Sequence, residues 1–122
     1  MASALSVLER QRLLDATGTQ YGFAAAYTAD PGATGVANEV TGGSPAYARK
    51  AITWASATSA MPSSKALVAT FPVFDIPAGT TVAFIGIWTL ATGGTYGGCW
   101  DVTDEVFAAQ GTYTLTAGAI TL

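Results

Sequence analysis

The chemistry open to this chain is bounded by its few titratable side chains. Eight acids stand against five bases, histidine is absent, and Cys99 is the one cysteine. Without histidine, the commonest general base and the commonest metal ligand are missing. The nearest approach to a carboxylate pair is Asp101, Asp104 and Glu105 in CWDVTDE. Acids so spaced about a loop could serve glycoside hydrolysis or hold calcium. They could equally be solvated, or bond nearby backbone N–H groups as turn formers. Cys99 with scattered carboxylates is not a zinc set, and no serine has a visible base beside it. In the run GGCW, Cys99 reads as a small buried strand residue.

A second concentration of polar residues lies in TADPGATGVANEVTGGSPAYARK, Thr28 to Lys50, which carries Asp30, Glu39, Arg49 and Lys50. It contains G-x-x-G from Gly32 to Gly35 and a later Gly42-Gly43. Neither is followed by Lys-Ser/Thr, so neither is a phosphate loop. Asp30, Asn38 and Glu39 could ligate calcium, but their spacing fits no EF-hand. A better account pairs Glu39 with Arg49 across the glycine-rich turn, as a clamp that holds geometry more than it adds net stability. Pro31, Gly32, Gly35, Gly42 and Gly43 then set the turns. A long polar segment must run over the surface, and ordered ones usually touch something. Asp30, Pro31, Gly35, Asn38, Glu39, Tyr47 and Arg49 are therefore expected to shape an assembly contact, with a neighbouring subunit or another part of the assembly. Trp54, Trp88 and Trp100 offer aromatic faces that could stack on sugars, although core or interface packing is the first expectation.

The elements that must position these residues read as follows. A capping box, Ser6-Val7-Leu8-Glu9 (with Ser3 as the other candidate cap), opens a helix bearing Leu5, Leu8, Leu13 and Leu14, and Gly18 ends it. Residues 1–18 thus form an N-terminal helix or arm, and 19–122 a single β-domain. Strands are expected at Tyr21–Tyr27, Tyr47–Trp54, Ala66–Phe71, Thr81–Leu90 and Tyr96–Asp101. The three alanines weaken the first, and the fourth is the most apolar. Asp104–Gln110 is ambiguous between strand and loop, and Thr112–Thr116 with Ala119–Leu122 reads as a closing hairpin about Ala117-Gly118. Asp75–Gly79 and Thr92–Thr95 supply turns. Gly86 and Gly97-Gly98, inside strands, suggest bulges or close backbone approach. Short strands at about ten-residue spacing give an all-β class, a β-sandwich or jelly-roll-like domain with a short N-terminal helix.

Composition sets the remaining bounds. The 122 residues suit one domain. Only 11% are charged, against about 25% in a typical soluble domain. Mean hydropathy is +0.37. Weakly charged surface of this kind marks interfaces. A net charge of −3 and scattered bases argue against nucleic acid. No apolar run approaches the ~20 residues that span a bilayer, and the N-terminus lacks the basic region of a secretory signal. Synthesis in the cytosol is expected, with no cofactor.

The blocks ADPG-x-TG…NEV…YAR (Ala29 to Arg49) and GIW-x-x-A-x-GG (Gly86 to Gly94), with the closing L-T-A-G-x-I-x-L, resemble a family of short virion proteins of tailed bacteriophages. Its members are described as tail-fibre, minor tail or minor capsid proteins. Pro45 departs from the pattern, which more often runs directly from the glycines into Tyr47. The resemblance implies a non-enzymatic, multicopy structural protein made in the host cytoplasm. It also implies self-association, with a trimer as the expected form, and contacts with the major capsid protein or tail proteins. A lone compact domain without stalk repeats points first to a decoration or cementing subunit on the outer head. A minor tail or tail-fibre component is the alternative, and a carbohydrate-binding module a remoter one.

Overall fold

The computed structural model describes residues 5–58, 63–67 and 71–122. Helix α1 spans Val7–Gln20, and Ser6 caps it by accepting a hydrogen bond from the Glu9 N–H at 3.2 Å. Gly18 does not end the helix. It lets the Lys65 side chain lie against the backbone, where a Cβ would collide with it. The helix continues until the Tyr21 N–H bonds to the Thr17 carbonyl. Leu14 is buried but Leu8 is 77% exposed, while Arg10 is buried and donates from Nη1 to the Leu5 carbonyl at 2.6 Å. Lys65, also buried, donates from Nζ to Asp15 Oδ1 at 2.7 Å and so ties the helix to the strand that bears it. The helix is therefore anchored by polar contacts more than by the leucine stripe its sequence suggests.

Eight strands follow among the described residues: β1 (Phe23–Tyr27), β2 (Lys50–Ala51), β3 (Ser64–Ala66), β4 (Val73–Ile76), β5 (Thr80–Trp88), β6 (Tyr96–Phe107), β7 (Gly111–Thr114) and β8 (Ala119–Thr121). One antiparallel sheet has the order β2-β1-β5-β6. Opposite it stand two antiparallel pairs, β4-β7 and β3-β8. The inner face of the large sheet (Ala24, Ala26, Ile85, Ile87) packs with Phe74 and Ile76 of β4, Leu115, Tyr113 and Ile120. This is the all-β, sandwich-like arrangement expected from the strand spacing. Phe74 and Ile76 are completely buried, each worth about 1.5–3 kcal/mol of apolar transfer.

Several boundaries differ from expectation. Tyr47–Trp54 yields only the two-residue β2 and an isolated Trp54–Leu67 bridge, because Tyr47 and Arg49 are committed elsewhere. Asp75 and Ile76 belong to β4, so the turn narrows to Pro77–Gly79, with Gly79 at φ 76°. The observed strand is Ser64–Ala66, which shares only Ala66 with the expected Ala66–Phe71; Leu67 makes an isolated bridge to Trp54, Phe71 lies in no strand, and 68–70 lie outside the described residues. Ser3 likewise lies outside them. Asp104–Phe107 extends β6, while 108–110 turn back. The closing hairpin does not form. Gly111–Thr114 pairs with β4 and Ala119–Thr121 with β3, so the two segments serve different strand pairs.

The alanines of β1 follow from its position. Between β2 and β5, Ala24, Ala25 and Ala26 are all completely buried. Ala24 and Ala26 face the main core, whereas Ala25 and Tyr27 face a second cluster with Trp88, Phe23, Phe84 and Tyr96. A strand covered on both faces needs no polar alternation, and small side chains let the covering layers approach. The layer on the second face is the Thr28–Lys50 loop.

Candidate functional site

The loop begins by completing the edge of β1. Val40 N–H donates to the Ala26 carbonyl at 3.0 Å, and Thr28 N–H donates to the Asn38 carbonyl at 2.9 Å. The Ala26 N–H donates to the Tyr47 hydroxyl at 2.9 Å. A side chain thus substitutes for a strand partner, and backbone groups that burial would orphan are satisfied. Asp30 Oδ1 accepts from Gly32 N–H at 2.8 Å, and the Asn38 amide donates to the Asp30 carbonyl at 3.0 Å, with Asn38 itself at φ 65°. Pro31 is buried beneath this turn. At Gly35, φ is 72° and a Cβ would strike the Tyr96 ring. Only glycine meets both conditions.

Beneath the loop runs a buried polar chain. Trp88 Nε1 donates to the Tyr27 hydroxyl at 2.7 Å, which donates in turn to the Gly35 carbonyl at 2.8 Å. Burial raises the Tyr27 pKa above the ordinary phenol value, so it remains a donor. Gly86 makes room for this arrangement: a Cβ there would stand 2.7 Å from Tyr27 and 3.2 Å from Tyr96. The close approach expected at Gly86 is thus real, and the Tyr27 and Tyr96 rings require it.

The expected Glu39–Arg49 pair forms and is two-pronged, with Nε to Oε2 at 3.0 Å and Nη2 to Oε1 at 3.1 Å. The side chains are 21% and 10% exposed. Glu39 Oε2 also accepts from the Tyr47 hydroxyl at 2.9 Å. Burial first, and the Glu39 charge second, hold that hydroxyl far above the usual phenol range. The Tyr47 ring stacks on Phe74 with centroids 6.2 Å apart, which plugs the loop's return leg into the main core. Arg49 Nη1 donates to the Leu90 and Gly93 carbonyls at 3.2 and 2.8 Å, and its guanidinium carbon lies 3.8 Å from the Trp88 ring centroid. One arginine therefore joins the loop, the β5–β6 hairpin and the tryptophan beneath. The Ser44–Pro45 peptide is cis, and Gln110 bonds both residues' backbones at 3.3 Å.

A shallow depression of about 340 Å³ opens beside the clasp, lined by Glu39, Thr41, Tyr47, Arg49, Thr92 and Gly93. Its carboxylate and guanidinium are engaged with each other, which suits holding rather than proton transfer. The calcium grouping does not assemble: Asp30 caps a turn and Glu39 faces Arg49. Among the described residues no three metal-ligating side chains converge. Asp101, Asp104 and Glu105 lie exposed along β6. The tryptophans do not share a surface. Trp88 is buried under Arg49, while Trp54 and Trp100 meet on the other side of the large sheet at 6.1 Å. Cys99 is exposed, contrary to expectation, because β6 is an edge strand and this position faces outward.

Sequence reasoning missed Tyr27 and Tyr96 as partners of the loop. Their signal was the glycine at position 86, whose neighbours a single sequence does not name. Lys65 and Asp15 were missed as well, because 50 residues separate them.

Comparison with curated proteins and with solved structures finds no match. Comparison with protein families matches residues 8–122 to the family described as podophage GP4 fiber I protein gp80. That span takes in α1 from its second residue, the whole clasp and every strand, so the chain belongs to this phage fibre family, as a phage structural protein of tail-fibre type.

Proposed function

We propose that the protein is a non-enzymatic subunit of a bacteriophage tail fibre, assembled as a homotrimer and held in the virion by other tail proteins. The observation that carries this reading is the family match across 8–122. It favours the fibre over the outer-head decoration role to which the compact, stalkless sequence first pointed. The site lends support: the clasp fixes a long surface loop by internal bonds, as a rigid assembly contact requires. Val36 on the loop and Leu90 on the hairpin bonded to it stand 75% and 53% exposed, and large apolar side chains on an ordered surface suit a subunit interface. The Asp30–Arg49 segment is then a contact between copies.

Cryo-electron microscopy of intact particles, with copy number by quantitative mass spectrometry, tests the location. A fibre subunit appears at the tail in a small multiple of three. Density on the head, at on the order of hundreds of copies, would overturn the reading. Mass photometry of the purified protein tests the trimer, which a monomer at micromolar concentration would exclude.

A further inference from the structure

The uncompensated charge of this chain is concentrated in one place. Of its eight acids, five lie outside β6, where they are balanced by all five bases. Arg12, Arg49, Lys50 and Lys65 each stand within 4.0 Å of one of those carboxylates, and Arg10 is buried. The net charge of −3 is therefore that of Asp101, Asp104 and Glu105, all exposed on β6 and without an ion-pair partner among the described residues.

The same strand has a free edge. β6 runs for 12 residues and pairs with β5 on one side only. Among the described residues no backbone hydrogen bond reaches its other side. At one end, Gly97 and Gly98 leave open a small apolar pocket of about 120 Å³ over Ile87, walled by Trp100 and Ile120. An unpaired strand edge supplies main-chain donors and acceptors to an added strand, and a side-chain pocket beside it supplies selectivity.

We propose that β6 accepts by strand addition an extended segment of another protein, one bearing Lys or Arg at alternate positions and an apolar residue that enters the Gly97–Gly98 pocket. Charge complementarity selects this occupant. A second β6 is disfavoured, since two acidic strands would be brought side by side and the chain's own bases are already engaged. Like charges facing across strands destabilise a pair, whereas opposite charges stabilise it. The acids thus disfavour β6-to-β6 pairing between copies while leaving the edge open to a basic strand.

The test uses the full chain, isotope-labelled for NMR, titrated with the peptide Thr-Lys-Val-Lys-Val-Lys-Thr and with its counterpart carrying Glu at each Lys. The lysine peptide is expected to shift and protect amides along β6 and around Gly97–Gly98. Added salt should weaken it, and the glutamate peptide should not bind. In the D101N/D104N/E105Q variant the lysine peptide should bind roughly five-fold more weakly, from the charge pairs lost on the one face that its lysines share and from the lost net charge of the strand. Binding mapped to another surface, equal binding of both peptides, or no binding at millimolar peptide would each overturn the proposal. Should the variant misfold, the salt dependence and the comparison of peptides on the unaltered protein decide the matter.

Discussion

Replacing Glu39 with Gln keeps the size and shape of the clasp residue but removes its charge. Glu39 accepts three hydrogen bonds, two from Arg49 and one from Tyr47. A Gln oxygen at the Oε2 position retains the Tyr47 and Arg49 Nε bonds. Its NH₂ then faces Arg49 Nη2, donor against donor. Arg49, with a side chain 10% exposed, keeps its carbonyl partners at Leu90 and Gly93 but loses its counter-charge. A hydrogen bond to a charged group contributes about 1.5–3 kcal/mol, and removing one partner of a fully buried pair costs about 3–5 kcal/mol. Glu39 retains some solvent contact, so the lower part of these ranges applies, about 2–3 kcal/mol. With an unfolding entropy of about 2.1 cal/mol/K per residue over this chain length, the melting temperature should fall by roughly 10 °C.

Thermal melts by circular dichroism and urea titrations measure this directly. A double-mutant cycle with Arg49→Met sharpens the test. Each single change strands a partner, so the double variant should be less destabilised than the two singles summed, by about 1–2 kcal/mol. A Glu39→Gln melting temperature within about 2 °C of the original, or strict additivity in the cycle, would refute the clasp as an energetic unit.

Two further outcomes follow from the packing. Gly86→Ala places a methyl 2.7 Å from Tyr27 in a layer that cannot retreat, so urea titration should show a loss of about 1–3 kcal/mol. Asp15 has its pKa lowered, first by the Lys65 bond and then by the Ala57 N–H. Its contribution to stability is therefore complete above the ordinary carboxylate pKa and lost as pH falls through the lower folded value. Asp15→Asn should flatten that part of an acid-unfolding curve; an unchanged acid slope would contradict the assignment.

The two layers were legible in the sequence where pattern and burial agree. The apolar run at 81–90 became β5, and Ser6 capped α1 where expected, although the Glu9 carboxylate of the expected box bonds Arg12. Several readings missed what a tertiary partner decided. Gly18, taken as a stop, lies inside the helix and gives room to the Lys65 side chain, and the alanines that weakened the expectation for β1 are required by covering on both faces. The final hairpin failed for the same reason, since Gly111–Thr114 and Ala119–Thr121 found longer-range partners in β4 and β3. Local turn chemistry at Ala117-Gly118 had no means of signalling that competition.

The clasp was half legible, and the missing half explains its form. In a chain with so few charges, Glu39 and Arg49 were natural partners. Why they are shielded was not readable, because the shield is Trp88, Tyr47 and the hairpin carbonyls of Leu90 and Gly93, gathered from across the fold. That gathering changes what the pair does. A solvated ion pair would contribute little and let the loop move. Here the guanidinium bonds loop and hairpin together over a buried Trp88–Tyr27–Gly35 chain, so displacing the loop would orphan several polar groups at once. The 28–50 segment is thus a rigid outer layer of the domain, and a partner that docks on it meets a preformed surface and need not order a loop.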